Sequence, residues 1–169
     1  GAKDFKAAKG SQQAEIKHVL QLFGIGGGDV QDNKELVADL GPTRLAFWDC
    51  PLDASWEQEV RDNNQLLTEV KSENVINRIS GVAEHPRNTE RVPAGAKFDF
   101  RLSFKQLAGD DPTLLETVLQ GLKLIELDSL GGSGSRGYGK VRFAGLAIDG
   151  TDEAERFAGV NPFPNLQQS

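Results

Sequence analysis

The sequence predicts an α+β domain, and three observations carry that prediction. Phe98, Phe100, Leu102 and Phe104 fall on one face of Lys97–Phe104 at a period of two, as in a half-buried strand. Leu114, Leu115, Val118, Leu119, Leu122 and Ile125 recur at helical spacing and form a stripe that needs a core to cover it. Five glycines between Gly131 and Gly139 then separate that helix from a second β-prone stretch.

The elements follow in order. Residues 1–10, rich in Lys, Ala and Gly, read as a frayed end or a truncated connection. Ser11 opens a helix through Leu22 with Ile16, Val19, Leu20 and Phe23 on one face, and the glycines of 24–28 stop it. Residues 29–40 read as a polar loop or a short turn. Thr43–Leu52 alternates and is predicted as a strand, with Leu45, Phe47 and Asp49 opposing Arg44, Ala46 and Trp48. Residues 53–64 fit a short helix or a loop, and Gln65–Lys71 a short strand. Residues 72–96, with Gly81, Pro86, Pro93 and Gly95, are too long for an ordinary connection and suggest a functional excursion. Asp111 and Pro112 suit the cap and first position of the long helix. Tyr138–Ile148 reads as the last strand, with Val141 and Phe143 on one face. Residues 151–169 read as a tail, extended or disordered from Asn161. With a helix ahead of Thr43, residues 11–150 give a βαββαβ plan that lacks its first strand. That plan is the ferredoxin-like, RRM-like arrangement.

Composition narrows the function. The 169 residues suffice for one domain with a real core. No apolar run approaches the roughly 20 residues of a membrane helix, so a membrane partner is not expected. Cys50 is the single cysteine, which leaves no internal disulfide and fits a reducing, cytoplasmic compartment. With only His18 and His85 beside it, a zinc site is not expected either. The net charge of −6 argues against general coating of nucleic acid, though not against a local basic face.

The local basic segment is Gly131–Phe143. Arg136, Lys140 and Arg142 stand in it with no acid between 131 and 142. Glycines let a backbone approach a ligand closely, and cations beside them suit phosphates. Two motif matches mislead here. Gly132-x-Gly134-x-x-Gly137 fits a dinucleotide fingerprint, but that motif runs strand, loop, helix, and here a helix precedes the loop. Gly134-x-x-x-x-Gly139-Lys140 fits most of a Walker A loop, but Val141 stands where the magnesium-holding hydroxyl belongs. The plain alternative is a structural turn. Contact with a nucleic-acid backbone is the preferred reading.

Three blocks carry a family resemblance. One is Gly41-Pro42-Thr43-Arg44-Leu45 running into Trp48-Asp49. The second spans Glu69-Val70-Lys71-x-Glu73-Asn74-x-Ile76-Asn77-Arg78, then Pro86-Arg87-x-x-Glu90-Arg91-Val92-Pro93-x-Gly95-Ala96-x-Phe98. The third is Ser135-Arg136-Gly137-Tyr138-Gly139-Lys140-Val141 at the end of the glycine loop. Over roughly residues 15–150 the chain resembles the RAMP superfamily, and in it the repeating backbone subunit of type III CRISPR effector complexes.

The resemblance implies a ferredoxin-like palm with an inserted β-hairpin thumb at about 72–96, stacked head-to-tail along CRISPR RNA. The thumb would segment the guide–target duplex for cleavage of target RNA in antiviral defence. Implied partners are CRISPR RNA, target RNA, other RAMP backbone subunits, and the large and small subunits of the effector. Protein contacts to phosphate and sugar carry little sequence information, which suits a changing guide. On this reading the RNA-binding residues are Lys71, Asn74, Asn77, Arg78, Arg87, Arg91, Gly132, Ser133, Gly134, Ser135, Arg136, Gly137, Tyr138 and Lys140. Val75, Ile76 and Val82 would wedge against displaced bases. Arg44 is as well suited to pairing with an acid as to touching RNA, and Trp48 and Trp56 are expected to pack in the interior rather than stack on bases.

The leading section of the family, with its strand and the aspartate tied to metal-dependent cleavage, has no counterpart in these residues. The catalytic residue is therefore unassigned, and Asp29 does not match its position. No cofactor is expected in this chain, while a divalent metal such as Mg would serve cleavage by the complex. The absence of methionine and the opening Gly1 suggest a fused or split architecture. The competing readings are that this chain is itself a metal-dependent endoribonuclease, or that it is a nucleotide-binding enzyme.

Overall fold

The computed structural model describes residues 1–76 and 78–163, with the side chains of residues 75 and 83–85 outside the description. The chain divides into two compact units, Gly1–Ala46 with Phe104–Ser169, and Phe47–Ser103. The class is α+β, and the strands among the described residues form three two-stranded antiparallel ladders.

The first unit is mainly helical. α1 (Ala2–Ala7) occupies the stretch expected to fray. Ala2 and Ala8 are buried, so small side chains pack where the composition alone suggested a loose end. α2 (Ser11–Phe23) forms as predicted, but Gly10 rather than Ser11 occupies its cap position. Its buried residues are Leu20, Gln21 and Leu22, while Val19 and Phe23 of the predicted stripe stay exposed. The helix is covered at its C-terminal turn, where the carbonyl of Gln21 accepts the Arg44 N–H at 3.0 Å, so burial follows its neighbours rather than one regular face.

Residues 29–40, expected as a polar loop or a short turn, hold a turn and also a helix. Two short 3₁₀ turns lead into α3 (Lys34–Leu40), and buried Leu40 shows that the run Leu36-Val37-Leu40 supplies a small apolar face. α5 (Leu114–Leu127) buries Leu114, Val118, Leu119 and Leu122, four of the six predicted stripe residues. Asp111 caps a turn ahead of that helix, accepting from the Thr113 N–H at 2.8 Å, and Pro112 lies outside it. A further helix covers residues 154–158, where a tail was expected, and its Phe157 is buried against Phe143, edge to face at 6.1 Å.

The predicted last strand, 138–148, is reduced to β5 (Ala147–Ile148), paired with β6 (Thr151–Asp152) across a tight turn. Asp149 and Gly150 both take positive φ in that turn, the conformation a two-residue hairpin needs. A ladder requires a partner edge, and the Phe143 N–H instead donates to Glu126 Oε1 of α5 at 2.8 Å.

β1 (Leu45–Phe47) pairs with β4 (Leu102–Phe104), and both are far shorter than predicted. Beyond them an isolated bridge, Leu52 to Phe98, continues the pairing, flanked by the Asp53 N–H donating to Lys97 O and the Asp99 N–H donating to Pro51 O, each at 2.9 Å. Between the Trp48–Arg101 bond and that bridge the register slips by one residue, beside Pro51, which has no N–H to give a ladder. In the second unit α4 (Ala54–Asp62) settles the helix-or-loop choice. Asp53 caps it, accepting from the Trp56 N–H at 2.8 Å, and Trp56 and Val60 are buried.

The excursion contains a long hairpin. β2 (Glu69–Ile76) and β3 (Ala83–Arg91) pair in register from Glu69–Arg91 to Glu73–Arg87, then slip before Val75–Glu84. The extra residue falls on β3 beside Pro86, as a proline in a ladder predicts. The strand predicted at Gln65–Lys71 thus begins later and runs further.

Candidate nucleic-acid interface

In the first unit the glycine loop is a closed neck. The Leu130 N–H donates to Gly139 O at 2.8 Å, and Gly134–Arg136 form one 3₁₀ turn. Ser133 and Gly137 flank the turn in the left-handed region, and Gly131 and Gly139 also take positive φ. The glycines divide by cause. A Cβ on Gly139 would overlap Leu130 O, and one on Gly134 would overlap Ser129 Oγ, so these two answer to the chain itself. Gly132 has no such neighbour and no positive φ. Nothing local requires glycine there. No bond from the N–H groups of Gly131, Gly132 or Ser133 is found among the described residues.

Lys140 is not directed to solvent as a lone cation. Its Nζ donates to Leu127 O at 3.4 Å and to Asp128 O, the carbonyls that α5 leaves open at its C-terminus. Arg136 and Ser135 are exposed, and Tyr138 is half-buried.

In the second unit the hairpin cations separate likewise. Lys71 pairs with Glu73 along β2 at 2.9 Å, and Arg91 pairs with Glu69 across the ribbon at 2.5 Å. Arg78 and Arg87 are exposed and take no ion pair among the described residues. Asn74 is exposed opposite the bulge, and Asn77 lies outside the described residues. Ile76 and Val82 are exposed, as is Ile79 at the turn (99%); the Val75 side chain is not described.

Arg44 is a structural residue in its own unit. It is 5% exposed, holds Asp110 through two bonds of 3.0 and 2.7 Å, and donates to Leu40 O and Pro42 O. The Arg44 guanidinium, then the Leu107 N–H, hold the Asp110 carboxyl down to about 2. Of the two tryptophans Trp56 is buried, as expected, but Trp48 is 63% exposed, and that expectation is corrected.

Among the described residues no group of three or more His, Cys, Asp or Glu side chains could hold a metal ion. Those residues therefore supply no three-ligand site of their own for a divalent metal. Asp29 sits in a 3₁₀ turn, with its carbonyl taking the Asn33 side-chain amide at 2.6 Å. No helix among the described residues is long and apolar enough to cross a membrane.

The RAMP superfamily model matches residues 31–142, which takes in α3, the hairpin, α5 and the glycine loop. A protein of Methanothermobacter thermautotrophicus described as CRISPR system Cms endoribonuclease Csm3 is 44% identical over 100 residues, 58% of this chain and 40% of that protein. Proteins of the same description from Mycobacterium tuberculosis and Enterococcus italicus are 36% identical over 155 residues and 35% over 138. These matches cover 79% and 80% of this chain and 60% and 59% of the two relatives. The chain thus spans about 40–60% of the length of the relatives it matches.

Proposed function

The chain belongs to the RAMP superfamily, and from that premise we propose that it holds guide RNA as a backbone segment of a type III CRISPR effector. The observation that carries this is Gly132. It is a glycine with neither a crowded Cβ nor a strained φ, in a loop where the N–H groups of Gly131, Gly132 and Ser133 take no bond among the described residues and where Arg136 is exposed. That is what close approach of a ribose-phosphate strand requires. Gly131, Gly132 and Ser133 offer amides to phosphate oxygens, Arg136 adds charge, and Gly134, Gly137, Gly139 and Lys140 shape the loop that presents them.

The β2–β3 hairpin serves as the thumb of a ferredoxin-like palm on this reading. Its eight-residue strand reaches about 25 Å at the usual rise per residue. Arg78 and Arg87, with Asn74 and Asn77, meet sugar and phosphate, and Ile76 and Val82 meet displaced bases. Partners are CRISPR RNA, target RNA, further backbone copies, and the large and small subunits. The relatives carry endoribonuclease in their description. Their cleavage chemistry, and any Mg it uses, is not assigned to residues of this chain, because the described carboxylates do not gather into a metal site.

The test is Arg136→Ala. It should weaken binding of guide RNA of any sequence and lower the slope of log K against log[salt] by roughly 0.7 for each phosphate no longer neutralised. Filter binding across a salt series checks this, and a loss confined to one guide sequence contradicts it.

A further inference from the structure

We propose that Trp48 and Arg101 form a stacking platform for one nucleotide of single-stranded RNA. The inference rests on the RNA-holding reading above but uses residues outside the glycine loop and the hairpin.

Trp48 follows β1 directly and leaves 63% of its surface in water, though burying an aromatic of this size is a large gain in folding. The ring is not loose. Its indole N–H donates to Ser103 Oγ at 3.0 Å, and its backbone N–H donates to Arg101 O at 3.3 Å. The indole N–H is therefore satisfied by the protein, while most of the residue stays exposed. Antiparallel pairing sets Arg101 directly across from Trp48, and alternation puts Trp48, Arg101 and Ser103 on one face. Arg101 is exposed and makes no ion pair among the described residues.

A restrained indole beside an unpaired guanidinium is the pairing that single strands use. Every base has a π face to lay on the ring, and the cation meets the adjoining phosphate. The exposed guanidinium across from the ring favours an anionic strand as the occupant, and a second copy of this chain is an outcome of the test. Alternation turns Asp49 to the other face, while Asp99 shares the face two residues before Arg101 and sets a negative charge at that side of it.

The full chain is titrated with an oligouridine of about 12 nucleotides, within the range that such grooves accept. Trp48→Leu is compared with wild type by fluorescence and filter binding, and Trp48→Phe tests rescue. The expected result is quenching of the Trp48 emission, obtained by difference from the variant, with the same midpoint as binding. Trp48→Leu should bind about fivefold to a hundredfold more weakly, with Trp48→Phe retaining most of the affinity. Arg101→Ala should reduce the salt slope. Normal RNA affinity of Trp48→Leu with unchanged Trp48 emission overturns the platform and leaves the glycine-loop reading intact. An affinity that is unaffected while self-association falls on sedimentation assigns the face to a second copy, and overturns it also. Failure of every form to bind RNA removes both readings.

Discussion

Gly132 and Gly139 lie in one loop and are indistinguishable as letters, yet the structure gives them opposite reasons. Gly139 has positive φ and no room for a Cβ beside Leu130 O. Gly139→Ala should therefore destabilise the fold by about 1–3 kcal/mol in urea unfolding. Gly132→Ala should stay within about 0.5 kcal/mol of wild type in the same assay, while weakening guide-RNA binding. Equal stability of the two variants would show that the loop is not closed on Leu130. Lys140 carries a similar lesson. Charge and position nominated it for phosphate, but its ammonium is occupied by the last carbonyls of α5. Its removal would mix helix capping with binding, so Lys140→Ala does not isolate a phosphate contact.

At the scale of elements, the hairpin stands apart. A two-stranded ribbon is marginal by itself in water, and this one leaves Val70, Ile76, Ile79 and Val82 exposed. Its order comes from paired charges such as Arg91–Glu69 and from Ser72 Oγ donating to Asn88 Oδ1 at 2.8 Å, not from a core. Amide exchange in β2 and β3 should accordingly be much faster than in α5. Addition of guide–target duplex should slow it, read segment by segment by hydrogen-exchange mass spectrometry. Protection of the hairpin equal to that of α5 without RNA would contradict this. α5 was legible because its stripe, Leu114 to Leu122, repeats at helical spacing and is buried as spaced. The strands were not. The pattern of Phe98, Phe100, Leu102 and Phe104 gives extended chain, but pairing depends on a partner and on Pro51, and only residues 102–104 enter a ladder.

For the molecule as a whole, one contribution to acid stability comes from a pair that no motif marks as structural. Asp110 is depressed to about 2 in the folded state, against an ordinary value of 3.8. The unfolded chain therefore binds the extra proton, and stability rises with pH through that window. The contribution is complete above about pH 4 and is lost as pH falls toward 2. Asp110→Asn should cost about 3 kcal/mol at neutral pH, since it strands a buried guanidinium. It should also flatten the acid limb of a pH-resolved urea series. An unchanged limb would place the acid sensitivity elsewhere. The sequence by itself determined the α+β class, the long helix, the excursion and the family, because each is written in local spacing or in motifs. Only the tertiary structure decided which cations remain available, that Trp48 faces water while Trp56 does not, and how little of the predicted strand at 138–148 finds a partner. Those outcomes depend on what lies across space from a residue, which spacing along the chain does not encode.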